Sequence, residues 1–472
     1  MNRSKIQAIV LAAGTSSRFK SETPKLLFTL CGQEMILYPL KMLQQLDIPV
    51  TLVVGHKKEL LKRIIEQHAF SSLTYSEQKH QLGTGDAVAS TASSWHAEHI
   101  LVLNGDAPLV QSSMVEELIK EHMKSNVAVS FTMTHNNDPI SSAGYGRVVI
   151  RDEQTSIVEA RHFTGDFAVD CFVNAGIYLF RREFLKRFIS SLAKHPGSQE
   201  IYLTDLIEIA SKQKLGVATV NAPFDQVRGV NTLKELWAAE QIKRAEIIDA
   251  CMQQGVRFGS VQSTHIDCDV TIGAGTSIGA GVQLFAGTRI GKGCTIGAYS
   301  CIKNSTLGDH VTIQPHVVMS DATIGDLSAI GPFAHIHGNT TIGNESVIGN
   351  FVEVTKSSIA HRTRIKHLSY IGNAHIGSDV NIGAGTVTCN YNGVTKNTTI
   401  IEDRAFIGSN NSLIAPVTIE QHAMTGAGSV ITETVPSHAL AIARAQQVNK
   451  EGYARRLRDS ITVVAAVKSK TQ

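Results

Sequence analysis

Ile266, Ile272, Ile278, Leu284, Ile290, Ile296 and Ile302 follow one another at a strict six-residue interval, often with glycine next. The register slips and then resumes at Ile330, Ile336, Ile342, Ile348 and Val354. It returns through Ile359, Ile365 and Ile371, and through Ile401, Ile407, Leu413 and Ile419. Neither a helical period nor the alternation of an ordinary strand produces that interval. A stacked β-helix does, because each hexad builds one flat side of a coil and its aliphatic residue points inward. A generic all-β domain would not hold the spacing. The 38 glycines and an aromatic content of only 6% agree with a chain made largely of tight corners.

Upstream the period is different. Ala8–Leu11, Val50–Val54 and Ile100–Leu103 read as strands, and Met35–Leu46 and Lys57–Gln67 as helices. That alternation predicts a parallel sheet covered by helices, a Rossmann-like α/β domain. A helical pattern then runs unbroken from Asn231 to Gly255 through Leu233, Leu236, Trp237 and Ile248, closing on a glycine as helix ends prefer. The expected organisation is an α/β domain over residues 1–230, a linker helix over 231–255, a β-helix over 256–450 and a tail over 451–472. The tail's apolar patch, Ile461–Val467, would pack on a neighbouring coil.

Several classes of function are excluded by composition. With 43% apolar and 18% charged residues the chain reads as a globular protein, and a net charge of +3 gives no surface for nucleic acid. Seven scattered cysteines without a Cys-x-x-Cys pair argue against a disulfide framework or a thiolate zinc site, and for a reducing cytoplasm. The N-terminal MNRSKIQAIVLAAGTSS imitates a signal peptide, but Arg18, Lys20 and Lys25 follow directly, and a buried first strand explains it better. No apolar stretch approaches membrane-spanning length.

The motifs that carry chemistry are "LAAGTSSRFKSETPK", "EQKHQLGTGDA", "LVLNGDAPL" and "GYGR" in the first half, and "GNFVE", "KHLSYIG", "NIGAGTVTCNYNG" and "IGSN" in the second. In this order and spacing they resemble, over nearly the whole chain, the bacterial bifunctional enzymes that make UDP-N-acetylglucosamine. Those join a uridylyltransferase of the sugar-nucleotide pyrophosphorylase type to a glucosamine-1-phosphate acetyltransferase on a left-handed parallel β-helix.

For the first half the resemblance implies a UTP and sugar site formed by Leu11, Ala12, Gly14, Lys25, Gln78, Gly83, Thr84, Asn104, Asp106, Gly146, Glu159, Asn174 and Asn231. Gly14 lets backbone N–H groups approach phosphates, and Arg18 and Lys25 neutralise charge at the α-phosphate as pyrophosphate leaves. By the same resemblance Gln78, Gly83 and Thr84 would read the uracil, and Gly146, Glu159 and Asn174 would hold sugar and ribose. Asp106 ends an apolar strand, where an acidic residue suits Mg²⁺, and Asn231 is the matching second ligand. Three departures stand out: Ser16 replaces a second glycine, the segment after Glu159 (ARHFTGD) differs, and Arg228 occupies a place usually acidic.

For the second half it implies His367 as the base for acetyl transfer and the Ala384 backbone N–H as oxyanion donor. Acetyl-CoA would lie along Ala384, Asn390, Tyr391, Ser409, Ala427 and Arg444, and the acceptor against His337, Lys356, Tyr370, Asn381 and Lys396. The family holds the acceptor's phosphate with basic side chains, yet His337 and Thr355 stand at two of those positions. Neutral imidazole is a far weaker phosphate partner than guanidinium. His335 and His337 in "GPFAHIHG" therefore have three readings: a modified phosphate pocket, outward polar residues, or metal ligands completed by His310, His316, His361 or His375. Family members assemble as trimers with sites between subunits, which implies a homotrimer here. The alternatives are a uridylyltransferase whose β-helix is a trimer scaffold or acts on another amino-sugar phosphate, and a metal-dependent β-helix module.

Overall fold

The computed structural model describes residues 3–14, 17–136, 138, 142–165 and 172–468, the side chains of 3, 17 and 463–468 excepted. Ser16, the last residue of ARHFTGD and most of the apolar patch Ile461–Val467 thus lie outside the described side chains. The chain divides into two compact units, Met1–Gln254 with His265–Val270, and Gly255–Thr264 with Thr271–Gln472.

The first unit is built on a sheet whose main path runs Val217–Asn221, Val129–His135, Phe172–Arg181, His99–Asn104, Ile6–Ala12, Val50–Val54, Leu73–Glu77. Ile6–Ala12 pairs parallel with both neighbours and is buried on both faces. Ile6, Ala8 and Val10 join one core with the helices Leu37–Gln45, Lys58–Ile65 and Ser112–Ser125. Ile9 joins the opposite core with Thr84–Ala89, Arg182–Phe188 and Asp205–Lys212. Both faces are therefore covered, as continuous apolar strands require.

One strand departs from the parallel sheet that periodicity predicts. Phe172–Arg181 runs antiparallel to both neighbours. A parallel return needs a long crossover, usually a helix. The sequence between Val129–His135 and Phe172–Arg181 instead supplies the hairpin Arg147–Arg151/Gln154–Val158, turned at Asp152 and Glu153 with positive φ. The chain comes back reversed.

Leu11 lies opposite Asn104, so the loops that follow both strands open from one edge of the sheet. The helix Leu233–Gln253 packs Leu236, Ala239 and Ile242 against Leu30, Cys31 and Met35, and it clusters with the first unit. Burial, seconded by Glu240, pushes the Cys31 thiol up to about 12, so it is a structural and not a reactive cysteine.

The second unit is a parallel β-helix of two- and three-residue strands with longer strands at Val347–Thr355 and Arg364–Gly372. Each coil stacks like on like: Ile278 on Ile296, Leu284 on Ile302, Ile290 on Leu307, with these inward residues at most 4% exposed. Early coils take 18 residues, as from Ser263 to Gly281, and the coils that follow take 17, as from Lys292 to Asp309, with 18 again from Asp326 to Asn344. That lost residue is why the hexad register slips after Ile302. One coil is longer, with 25 residues from Ser378 to Asp403, because a loop at 390–397 leaves the stack and returns. Tyr299, His316, Phe333 and Phe351 occupy one corner of successive coils, all with positive φ, and their rings stack at 5.4, 5.0 and 5.3 Å. The tail forms the helix Tyr453–Lys468. Among the described residues no helix is long and apolar enough to cross a membrane.

Candidate active sites

A cleft of about 610 Å³ opens at the shared strand edge of the first unit. All the residues assigned to it from sequence line it: Leu11, Ala12, Gly14, Arg18, Lys25, Gln78, Gly83, Thr84, Asn104, Asp106, Gly146, Glu159, Asn174 and Asn231.

Charge in the cleft is focused on two oxygens. The Lys25 ammonium contacts the Asp106 carboxylate and donates to Asn231 Oδ1 at 2.8 Å, and Arg18 donates to the same Asn231 oxygen at 2.7 Å. Asn231 is held from behind. Its N–H donates to Glu235 Oε2 at 2.8 Å, Thr232 donates its hydroxyl to the same atom at 3.0 Å, and Glu235 N–H donates to Thr232 Oγ1 at 3.2 Å. This reciprocal cap starts the helix Leu233–Gln253 and fixes the amide that precedes it. Asp106 and Asn231 turn oxygens to the same lysine nitrogen, so a cation already sits between them. Hard oxygen donors of this kind suit Mg²⁺, which completes its shell with phosphate oxygens and water. The residues fit the ion.

Beside Gln78, a Cβ at Gly83 would lie 2.5 Å from the Ile201 carbonyl oxygen, and φ there is +108°. Glycine is obligatory at that turn. At Gly14 a Cβ would meet nothing within 4 Å, so the protein itself does not require glycine there; the space belongs to the cleft. Gln78 is buried and donates from its amide nitrogen to Gly83 O at 3.1 Å and Asp86 Oδ2 at 2.7 Å. What it can turn to a base is its carbonyl oxygen. Gln81, which the motif reading passed over, ties its loop to Ala13 O at 2.8 Å.

On the far side, desolvation holds the Glu159 carboxyl above its ordinary range, opposed by the Thr204 hydroxyl donating at 2.8 Å. Arg161, from the divergent segment, also lines the cleft and pairs with Glu200 at 3.0 Å. Arg228 does not reach the lining. Its guanidinium pairs with Asp225 at 3.2 Å and lies over the Phe224 ring. Tyr145, Tyr202 and Thr204 complete the wall and were not foreseen; only Tyr145, inside "GYGR", carried a signal.

In the second unit His367 is exposed and lies opposite Asn350 on the preceding coil, with Nδ1 3.0 Å from Asn350 Oδ1. That contact assigns the proton to Nδ1 and leaves the Nε2 lone pair outward. Gly385 N–H donates to Leu368 O, Asn410 N–H to Ala384 O and Gly428 N–H to Ser409 O, at 2.8, 2.7 and 2.8 Å. His367, Ala384, Ser409 and Ala427 therefore descend one corner on successive coils, and the Arg444 guanidinium donates to Ala427 O. The corner changes character along this column, from Phe351 and Leu368 above to Gly385, Asn410 and Gly428 below. Asn381 pairs with Arg364, and Tyr370 with Glu353. Tyr391 and Lys396 face each other across the loop that leaves the stack. Asn390 is buried, bracing that loop through Asn373 at 2.8 Å, and Lys356 is an exposed corner residue.

His337 Nε2 lies 3.1 Å from Glu353 Oε1, and Thr355 Oγ1 is 3.4 Å from its other nitrogen. None of His310, His316, His361 or His375 joins this group: His316 stacks in the aromatic corner, His361 accepts from Asn344 N–H at 3.0 Å and His375 bonds Ser358 at 2.7 Å. The neighbour is a carboxylate, not a third imidazole.

Residues 8–170 match the MobA-like NTP transferase domain, 259–345 the GMPPB C-terminal domain and 398–433 the hexapeptide repeat of succinyl-transferase. The fold, the cleft of the first unit and these matches define a nucleotidyltransferase joined to a hexapeptide-repeat acyltransferase, two group-transfer activities in one chain. Over 95% of its length the chain is 39% identical to the bifunctional protein GlmU of Thermosipho melanesiensis, of which 97% is covered. Over 94% it is 38% identical to that of Clostridium botulinum (strain ATCC 19397 / Type A), again with 97% covered. The chain belongs to the GlmU family of bifunctional proteins.

Proposed function

We propose that the second unit acetylates glucosamine-1-phosphate with acetyl-CoA, and that the first transfers UMP from UTP to N-acetylglucosamine-1-phosphate, releasing pyrophosphate. One observation carries this reading: the residues assigned to uridylyl transfer, scattered through the sequence, line one cleft of the first unit, while His367, Ala384, Ser409 and Ala427 follow one corner of successive coils in the second.

In the uridylyl transfer the attacking phosphate is already anionic and needs no general base. Arg18 and Lys25 neutralise the α-phosphate, Gln78 accepts from the uracil N3–H, and Glu159 and Asn174 hold the sugar side. Asp106 and Asn231 would hold Mg²⁺, which supplies charge for the phosphate oxygens. In the acetyl transfer His367 Nε2 takes the proton from the acceptor's ammonium, with Asn350 holding the ring. The Ala384 N–H donates to the oxyanion. The small residues of the lower column leave room for the coenzyme beside Ser409, Ala427 and Arg444. In this reading the protein is a cytoplasmic homotrimer, and light scattering should return three times the mass of one chain.

The test is a pair of assays on one preparation: thiol release from acetyl-CoA with glucosamine-1-phosphate, and pyrophosphate release from UTP with N-acetylglucosamine-1-phosphate. Both should proceed. Pyrophosphate release without thiol release would leave a uridylyltransferase on a β-helical scaffold.

A further inference from the structure

His335 and His337 lie two apart on one strand and so share a face, while Ile336 between them is buried in the core. Their rings stack with centroids 4.2 Å apart and planes 17° from parallel. The next coil sets Glu353 directly opposite His335, and His337 Nε2 already stands 3.1 Å from Glu353 Oε1. One donor atom from each of the three side chains lies within 4.8 Å of the other two, and among the described residues this is the one group of His, Cys, Asp and Glu that meets this limit.

We propose that His335, His337 and Glu353 bind a divalent transition-metal cation of the zinc class, with a fourth position open, and that this cation supplies the charge that receives the phosphate of the acetyl acceptor. Two imidazole nitrogens and a carboxylate oxygen are the donor set of three-ligand zinc sites that leave a position to water or substrate. Imidazole suits zinc and its transition-metal neighbours and not Mg²⁺ or Ca²⁺. Donors of a tetrahedral zinc site stand about 3.3 Å apart, which His337 and Glu353 nearly match, so closure asks little more than a side-chain rotation of His335. The β-sheet register supplies the rest of the rigidity, since the ligands come from two hydrogen-bonded strands and not from loops.

The charge balance gives the site its purpose. As ligands, two imidazoles add no charge and the carboxylate adds one negative charge, so with a dication bound the face is net positive and can receive phosphate. Glu353 pairs in register with Tyr370, so the cation would border the acceptor pocket. This phosphate role rests on the acetyl-acceptor reading given above; the metal site itself does not.

Full-length protein stripped with a chelator and titrated calorimetrically with Zn²⁺ alone is expected to bind it at this site. His335→Gln and Glu353→Gln are each expected to weaken that binding about tenfold or more, with thermal unfolding unchanged. Co²⁺ in place of Zn²⁺ should give the visible absorption of a four-coordinate ion in wild type and lose it in both variants. No Zn²⁺ binding by wild type at micromolar concentration, or equal binding by both variants, overturns the site. In the thiol-release assay, stripping should raise KM for glucosamine-1-phosphate about tenfold in wild type and leave it unmoved in His335→Gln. A KM indifferent to zinc in wild type removes the phosphate role. Absence of acetyl transfer in both states removes the acceptor reading and the phosphate role together, while the titration still decides the metal site.

Discussion

Lys25 and Asp106 answer one another in the first cleft, and each is only partly exposed. Removing either takes away the other's ion-pair partner in the pocket and, in the proposed reaction, a charge that acts on the phosphate. Lys25→Ala and Asp106→Ala are each expected to lower kcat for pyrophosphate release by about a hundredfold or more, read by steady-state kinetics. In the second unit His367→Ala should cost acetyl transfer about 10²–10⁴-fold. Asn350→Ala should cost less and should shift the pH profile, because it frees the ring to choose its tautomer; an unchanged profile would remove Asn350 from its positioning role. The place of Asp106, just past a strand end and lining the cleft, was legible from its motif alone. Glu353 and Glu235 were not singled out. Each acts on a residue that sequence numbers place far away or on another turn, and only hydrogen bonding across coils or around a helix cap reveals it.

Helices and strands carry their own consequences. On the helix Ser112–Ser125, His122 is buried between His99, 3.1 Å away, and Ser130, 2.9 Å away. Burial first, then His99 and Arg181, lower its pKa from 6.5 to about 3. The folded state therefore keeps this ring neutral while the unfolded chain protonates it. Its contribution is complete above pH 6.5 and lost as pH falls toward about 3, at about 1.4 kcal/mol per pH unit within that window. Urea midpoints for the first unit should drop between pH 7 and pH 4, and His122→Asn should flatten that slope. At the next helix, Thr232→Ala removes the cap beneath Asn231 and is expected to destabilise by about 1 kcal/mol, with a raised KM for UTP as the sign that the amide has moved. The elements themselves were well foretold where apolar runs were continuous, as at Val50–Val54. The antiparallel direction of Phe172–Arg181 was hidden, because a strand's sequence records burial and not the sense in which it is crossed.

At the scale of the whole chain, the two sets of residues fall in separate compact units. His367→Ala should leave pyrophosphate release within twofold of wild type, and Asp106→Ala should leave thiol release equally unmoved; mutual loss in either variant would contradict separate sites. The corner that carries His367, Ala384, Ser409 and Ala427 has a further property. Coils stack at the strand spacing of about 4.8 Å, so the corner works as a ruler, and the three steps from His367 to Ala427 span about 14 Å. Distance along it is set by counting coils, not residues. The 25-residue coil makes the point, since its extra loop adds chain without adding rise. An additional whole coil ahead of Tyr299 would lengthen the protein and leave every interval of the acetyl site as it was. The same insertion between Gly385 and Asn410 would carry Ser409 and Ala427 one graduation away from His367 and Ala384, and no side-chain adjustment would restore the measure.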